Sequence, residues 1–215
     1  MKKRAFCLLL TLLALFCLTA HADNGANFYR RLQYGQLAPY ENAVYGYSLN
    51  VYEGFQMLSD EYLDELWQRL EANREEGDDE VYDLRIWLSR DGRYQFEVQV
   101  KEPTYDSFDT EIAKAPEYLS LVQDSYPEGS NPRMIHDGVL RKTPVGTMLE
   151  TALAYDATDD SGHAYTVVFL YYDIYADDTE YCFTMFAYDG DYDAAQAMLD
   201  EICQTVSLEK IALPA

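Results

Sequence analysis

The sequence predicts an α+β fold, a mostly antiparallel sheet with helices packed against it. Three observations carry that expectation. Runs rich in aromatic and β-branched residues alternate with a period of two, as strands do. Most of these runs follow one another through short polar turns, which suits antiparallel neighbours. Segments with helical apolar spacing interrupt them, in the order strand, helix, hairpin, helix, strands, helix.

Each element has its own signal. Residues 43–51 alternate, placing Tyr45, Tyr47, Leu49 and Val51 on one face of a strand. Residues 59–74 predict a helix. Ser59 caps it, Asp60 and Glu61 suit its positive end, and Leu63, Leu66, Trp67 and Leu70 form one stripe. Gly77 and its acidic neighbours break it, and the run 75–80 reads as a solvated loop. Residues 81–89 and 94–101 form a hairpin around Asp91-Gly92, a pair that tolerates positive φ. Residues 107–126 read as helical through Phe108, Ile112, Leu119 and Val122, with a kink or restart at Pro116. Residues 127–132 form a loop. Strands follow at about 134–141, 147–155, 164–174 and 179–188, with turns at 159–162 and 176–178 joining the last three. A last helix, 191–205, carries Ala195, Met198, Leu199 and Ile202 on one side.

Residues 1–22 read as a secretory signal peptide of bacterial type. Lys2, Lys3 and Arg4 supply its basic end, an apolar run from Ala5 to Ala20 its body, and Ala20-His21-Ala22 small residues at the cleavage positions. The apolar run is shorter than the roughly 18–20 residues of a spanning helix. Cleavage after Ala22 is therefore expected, with a secreted or extracytoplasmic product that does not insert in the membrane. Cys17 follows Leu15 and Phe16, too bulky for a lipidation site. Residues 23–42 read as an arm or linker, and 43–215 as a single domain.

The formal charge is −22, and loss of the three leader cations moves it to −25. Such a surface repels nucleic acid and anionic membranes. It suits solubility, cationic partners or metal ions. The 20 tyrosines rule out a disordered acidic tail.

A family resemblance rests on two stretches. The run Tyr47-Ser48-Leu49-Asn50-Val51-Tyr52-Glu53-Gly54-Phe55 and the closing strand, turn and helix, 181–208, resemble PsbP-like and DcrB-like domains. Such domains often carry Pro before Glu-Gly, where this chain has Tyr52. The likeness covers most of the mature chain in element order and includes no catalytic motif. It implies a PsbP-like sandwich and a binding or assembly module that docks on a protein or cell-envelope component.

Candidate sites each carry a structural alternative. Cys182 and Cys203 remain after cleavage, in an oxidising compartment. A strand rising roughly 20 Å beyond Cys182 and a helix returning roughly 16 Å to Cys203 would bring the thiols together as a disulfide; two buried free thiols are the alternative. Asp189, Asp191 and Asp193, with Asp200 eleven residues after the first, echo a calcium loop. Ala194 stands where the sharp-turn Gly belongs, and Asp191 or Asp193 can instead cap the last helix. No other cofactor is expected. Tyr171, Tyr172, Tyr175 and Tyr181 form a binding surface if they share an exposed face; sheet packing is the alternative. His136 and His163 are the mature histidines, and neither has a visible nucleophile or third partner. The expected function is an exported non-enzymatic binding domain. Two alternatives are a hydrolase of extracellular or envelope polymers using carboxylates beside His136 or His163, and a calcium-binding exported protein.

Overall fold

The computed structural model describes residues 34–72, 80–114, 130–159, 161–176 and 178–209. The leader, most of the expected arm and residues 115–129 of the expected second helix lie outside them.

Ten strands and two complete helices form the described fold. In chain order they are β1 (Leu37–Asn42), β2 (Tyr47–Tyr52), β3 (Phe55–Met57), α1 (Asp60–Ala72), β4 (Val81–Ser89), β5 (Tyr94–Lys101), β6 (Arg133–Thr143), β7 (Gly146–Thr158), β8 (Ala164–Ala176), β9 (Thr179–Ala187), α2 (Tyr192–Cys203) and β10 (Ser207–Leu208). Residues 108–114 are also helical. Seven strands make one antiparallel sheet in the order β3-β4-β5-β9-β8-β7-β6; β1, β2 and β10 make a second, smaller one. The architecture is the expected α+β arrangement.

Part of the expected arm is structured. Residues 37–42 form β1, which pairs with β2 from Leu37 opposite Tyr52 to Asn42 opposite Tyr47. The turn after β4 is as expected, with Gly92 at φ 68°. The close approach at Gly54 is a separate device: a Cβ there would stand 2.7 Å from the Tyr34 Cα.

The core explains the layers. On the inner face of the large sheet, Tyr94, Phe96, Val98 and Val100 of β5, Phe183 and Met185 of β9, and Leu170 and Tyr172 of β8 pack against Tyr47, Leu49 and Val51 of β2 and against α2. Helix α2 contributes Ala195, Met198, Leu199, Ile202 and Cys203. Each large buried side chain of this kind is worth about 1.5–3 kcal/mol in transfer free energy. Asp83 of β4 ties the sheets together, accepting from Asn42 Nδ2 at 2.8 Å and Tyr47 Oη at 2.9 Å.

The outer face is also buried, and here the half-buried picture of alternating strands fails. Leu63 and Leu66 of α1 cover Leu84 and Ile86 of β4. Leu153, Tyr155, Phe169, Phe186 and Tyr188 form a second apolar cluster further along. Between them lies a buried polar strip: all eight residues of β5 are buried, including Gln95, Glu97, Gln99 and Lys101 on this face. Lys101 pairs with Glu180 at 2.9 Å, and Glu180 also accepts from the Thr104 backbone N–H at 2.8 Å. Glu111 of the helical stretch 108–114 accepts from Tyr175 Oη at 2.8 Å. Burial pushes Glu111 up to about 7 and lifts Asp173 beside it well above the carboxylate range. A sheet covered on both faces needs such internal pairing for every polar group it takes in.

Candidate functional site

The candidate site is the β6 edge with the polar cluster and cleft beside it. β6 ends the large sheet, so among the described residues its outer edge has no strand partner. Its pairing with β7 is regular from Val139 opposite Glu150 to Thr143 opposite Gly146, and is interrupted on both sides of His136. Such irregularities twist an edge and re-aim side chains. Five large apolar residues are exposed among the described ones, and β6 holds three: Ile135 at 41%, Val139 at 39% and Leu140 at 57%.

Behind this edge sits Glu150 of β7, fully buried. Its carboxylate accepts from His136 Nε2 at 2.9 Å, Tyr192 Oη at 2.8 Å and Gln196 Nε2 at 2.7 Å, and from Arg141 Nε. Burial pushes the Glu150 carboxyl up, but the Arg141 guanidinium and the Tyr192 and Gln196 donors outweigh it and hold the group below its ordinary range. Thus β6, β7 and the first turns of α2 are fastened at one point. The chemistry is that of a structural clamp with a partly open rim, since Arg141 is 34% exposed and His136 21%. Among the described residues Glu150 is the one carboxylate that His136 touches.

A cleft of about 500 Å³ opens alongside, lined by Arg133, Ile135, His163, Tyr165, Asp189 and Tyr192 among others. That volume falls in the range of small-ligand or side-chain pockets. Arg133 at its rim pairs with Asp156 at 3.0 Å, and both are about two-fifths exposed.

The residues singled out in the sequence are placed differently from the binding and metal readings. Tyr171 is buried on the outer face, with Phe169 and Phe186. Tyr172 is buried on the inner face and donates to Asp200 at 2.6 Å. Tyr175 is half-buried on Glu111, and Tyr181 is buried and donates to the Tyr45 carbonyl at 3.1 Å. Successive strand residues point to opposite faces, and both faces are covered, so the four tyrosines make no exposed row. The acidic loop is split as well. Asp191 caps α2 through the Ala194 N–H at 3.1 Å, and Asp189 accepts from the Asp191 N–H at 3.2 Å. Asp200 lies near the other end of the helix, held by Tyr172. Among the described residues, no group of three or more His, Cys, Asp or Glu side chains is placed to hold a metal ion.

The expected disulfide is corrected. Cys182 and Cys203 are both free and buried. Cys182 belongs to the outer cluster and Cys203 to the inner core, so the sheet stands between them. Reach along a strand and a helix does not decide such a pairing; the face each thiol points to does.

Neither Glu150 nor the β6 edge stands out in the periodicity of the sequence. A lone acid inside the apolar run Met148–Tyr155 is the available signal, because a buried charge must have partners. No helix of the described residues is long and apolar enough to cross a membrane.

Layered in this way, with α2 and a small sheet on one face of a larger antiparallel one, the chain is a PsbP-like α/β sandwich. One solved structure, the first of the three that follow, bears out the fold. Cyanobacterial PsbP (CyanoP) from Synechocystis is 12% identical, with a TM-score of 0.52 over 88% of this chain and 98% of that one. The Saccharomyces cerevisiae Ran-binding protein Mog1p is 15% identical, with a TM-score of 0.47 over 81% of this chain and 96% of that one. LpqN, involved in cell envelope biogenesis of Mycobacterium tuberculosis, is 12% identical, with a TM-score of 0.42 over 86% of this chain and all of that one. At these identities the likeness is one of fold alone. No family model matches the sequence, and no curated protein does.

Proposed function

We propose that the protein is an exported, non-enzymatic binding domain that holds its partner along the β6 edge. The observation that carries this reading is the concentration of exposed apolar side chains, Ile135, Val139 and Leu140, on a strand whose outer edge has no strand partner among the described residues. Exposed apolar groups on an open edge are a cost in water, and natural sheets usually cover or charge such edges. Here the edge is also anchored from behind by Glu150, which gives a partner a rigid surface to meet. Export follows from the leader reading of residues 1–22.

The test is site-specific photo-crosslinking in the producing cell. A photoreactive side chain at Leu140 is expected to give a discrete adduct, whereas one at exposed Glu65 on α1 gives none. Equal labelling from both positions, or none from Leu140, overturns the reading. N-terminal sequencing of the exported product is expected to begin at Asp23.

A further inference from the structure

The geometry points to the class of partner: an extended peptide segment of acidic and apolar residues that adds as a strand beside Val139–Thr143 of β6. This rests on β6 being the docking edge and goes further, to what docks there.

Charge is the first argument. β6 carries Arg133, Arg141 and Lys142 against one acid, Asp137, in a chain whose formal charge is −22. Its cations are not all neutralised. Arg141 is taken up by Glu150 and Arg133 by Asp156, but the exposed Lys142 Nζ is hydrogen-bonded to the Thr147 hydroxyl at 2.6 Å, and no ion pair with it occurs among the described residues. The rest of the surface is dominated by acids, so this strip is an exception in the chain. At physiological salt, charges beyond about 8 Å are largely screened, and an incoming strand feels the strip it touches more than the distant acids.

Register is the second argument. The regular stretch from Val139 to Thr143 sets Val139 and Arg141 on the α2 side, opposite Glu150 and Met148, and Leu140 and Lys142 on the other side, opposite Leu149 and Thr147. Each face of the edge therefore shows one apolar and one basic side chain. On the Leu140 and Lys142 face an added strand with an apolar and an acidic residue in the same order meets the cation that has no ion pair, while on the other face Arg141 is already held by Glu150 and Val139 offers the apolar contact. Main-chain hydrogen bonds supply affinity in such strand addition and the side chains supply selection; here the Lys142 carbonyl already accepts from Gln204 Nε2 at 3.3 Å, an exposed contact that an added strand would have to replace.

Pairing of β6 with a second copy of this chain depends on register: centred at Asp137 it sets Arg133 opposite Arg141, whereas centred at Leu140 it sets Leu140 opposite itself and Lys142 opposite Gly138. A dimer is therefore an outcome that the test must separate from peptide addition. Edge lysines and bulges are also devices that discourage apolar strands from adding. An acidic strand is the kind they leave admissible. The cleft shares Arg133 and Ile135 with the strand and offers Tyr165 and Tyr192 as aromatic walls for one apolar side chain of the same segment.

The test is selection of random short peptides displayed on phage against the intact protein. Enriched peptides are expected to be net acidic, with apolar residues between the acids. Leu140→Asp and Lys142→Glu, both at exposed positions, are each expected to weaken a selected peptide by about tenfold, with unchanged circular dichroism. Enrichment of neutral or basic peptides, no enrichment at all, or binding indifferent to both variants overturns the proposal. So does a dimer, seen by light scattering, that Leu140→Asp dissolves. If peptides fail while the photoreactive side chain at Leu140 still gives its adduct, the docking edge stands and the partner class is wrong. If both fail, the edge itself is wrong.

Discussion

Replacing Glu150 by glutamine keeps the side chain's shape and removes its charge. In the folded protein this carboxylate takes four donors, from Arg141, His136, Tyr192 and Gln196. A glutamine oxygen offers about two acceptor sites, and its amide adds donors where donors already converge. At least two of the four groups then lose their partner. Hydrogen bonds to a charged group are worth about 1.5–3 kcal/mol each. Arg141 and His136 recover part of that from water, being 34% and 21% exposed. The expected loss is about 3 kcal/mol, or a fall of roughly 6–12 °C in Tm for a domain of this size. The pH dependence gives a sharper check. The folded Glu150 carboxyl titrates below its ordinary value, so its stabilisation is fully present above the unfolded pKa and is lost as pH falls through the folded one. The gap between parent and Glu150→Gln in urea unfolding should be widest at neutral pH and narrow below about pH 4. A gap under about 1 kcal/mol at neutral pH, or one that does not change with pH, would refute the clamp.

Glu97 predicts the opposite pH slope. Burial raises it to about 7 in the folded protein, although Gln95 and Gln99 donate to it, while the unfolded chain releases the same proton near about 4.3. The raised group therefore costs stability as pH rises from about 4.3 to 7, and Glu97→Gln should gain on the parent across that window in urea midpoints; a constant difference argues against it. Gly54→Ala places a methyl 2.7 Å from the Tyr34 Cα and 2.9 Å from its carbonyl oxygen. A cost of about 1–3 kcal/mol in chemical denaturation is expected, and an unchanged midpoint would show that residue 34 yields freely. For the thiols, burial pushes both Cys182 and Cys203 up, so iodoacetamide should modify neither in the folded protein and both after unfolding without reductant; a mass unchanged by alkylation of the unfolded chain would restore the bridge.

The long strands of the main sheet, β4 to β9, and the two helices are legible because their signals are local. The hairpin of β4 and β5 follows from two alternating runs and Asp91-Gly92, and α2 from its stripe and the Asp191 cap. The short strands β1, β3 and β10 are not. Their pairing is set by partners elsewhere in the chain, as Ser207 opposite Ser48 illustrates. The facing of residues was the other blind point. β9 is buried on both sides, so no polar side marks which way Cys182 or Tyr181 points. The charged residues inside apolar strands are visible as residues, but what Lys101 and Glu150 meet comes from β9, β6 and α2, while Glu97 is met by Gln95 and Gln99 of its own strand.

The strand order has a consequence for how the molecule assembles. β5 pairs along its length with β9, joining residues 94–101 to 180–187. The part of the sheet made by β3, β4 and β5 thus presents an unfinished side until β9 has been made. A nascent chain carries Tyr94, Phe96 and Val98 uncovered for all that time, since their lid, α2, is later still. Contacts this distant in sequence slow folding and lengthen exposure to aggregation. Completion should be all-or-none: a chain shortened before β9 keeps the β4–β5 hairpin as sequence but has nothing on which to close it.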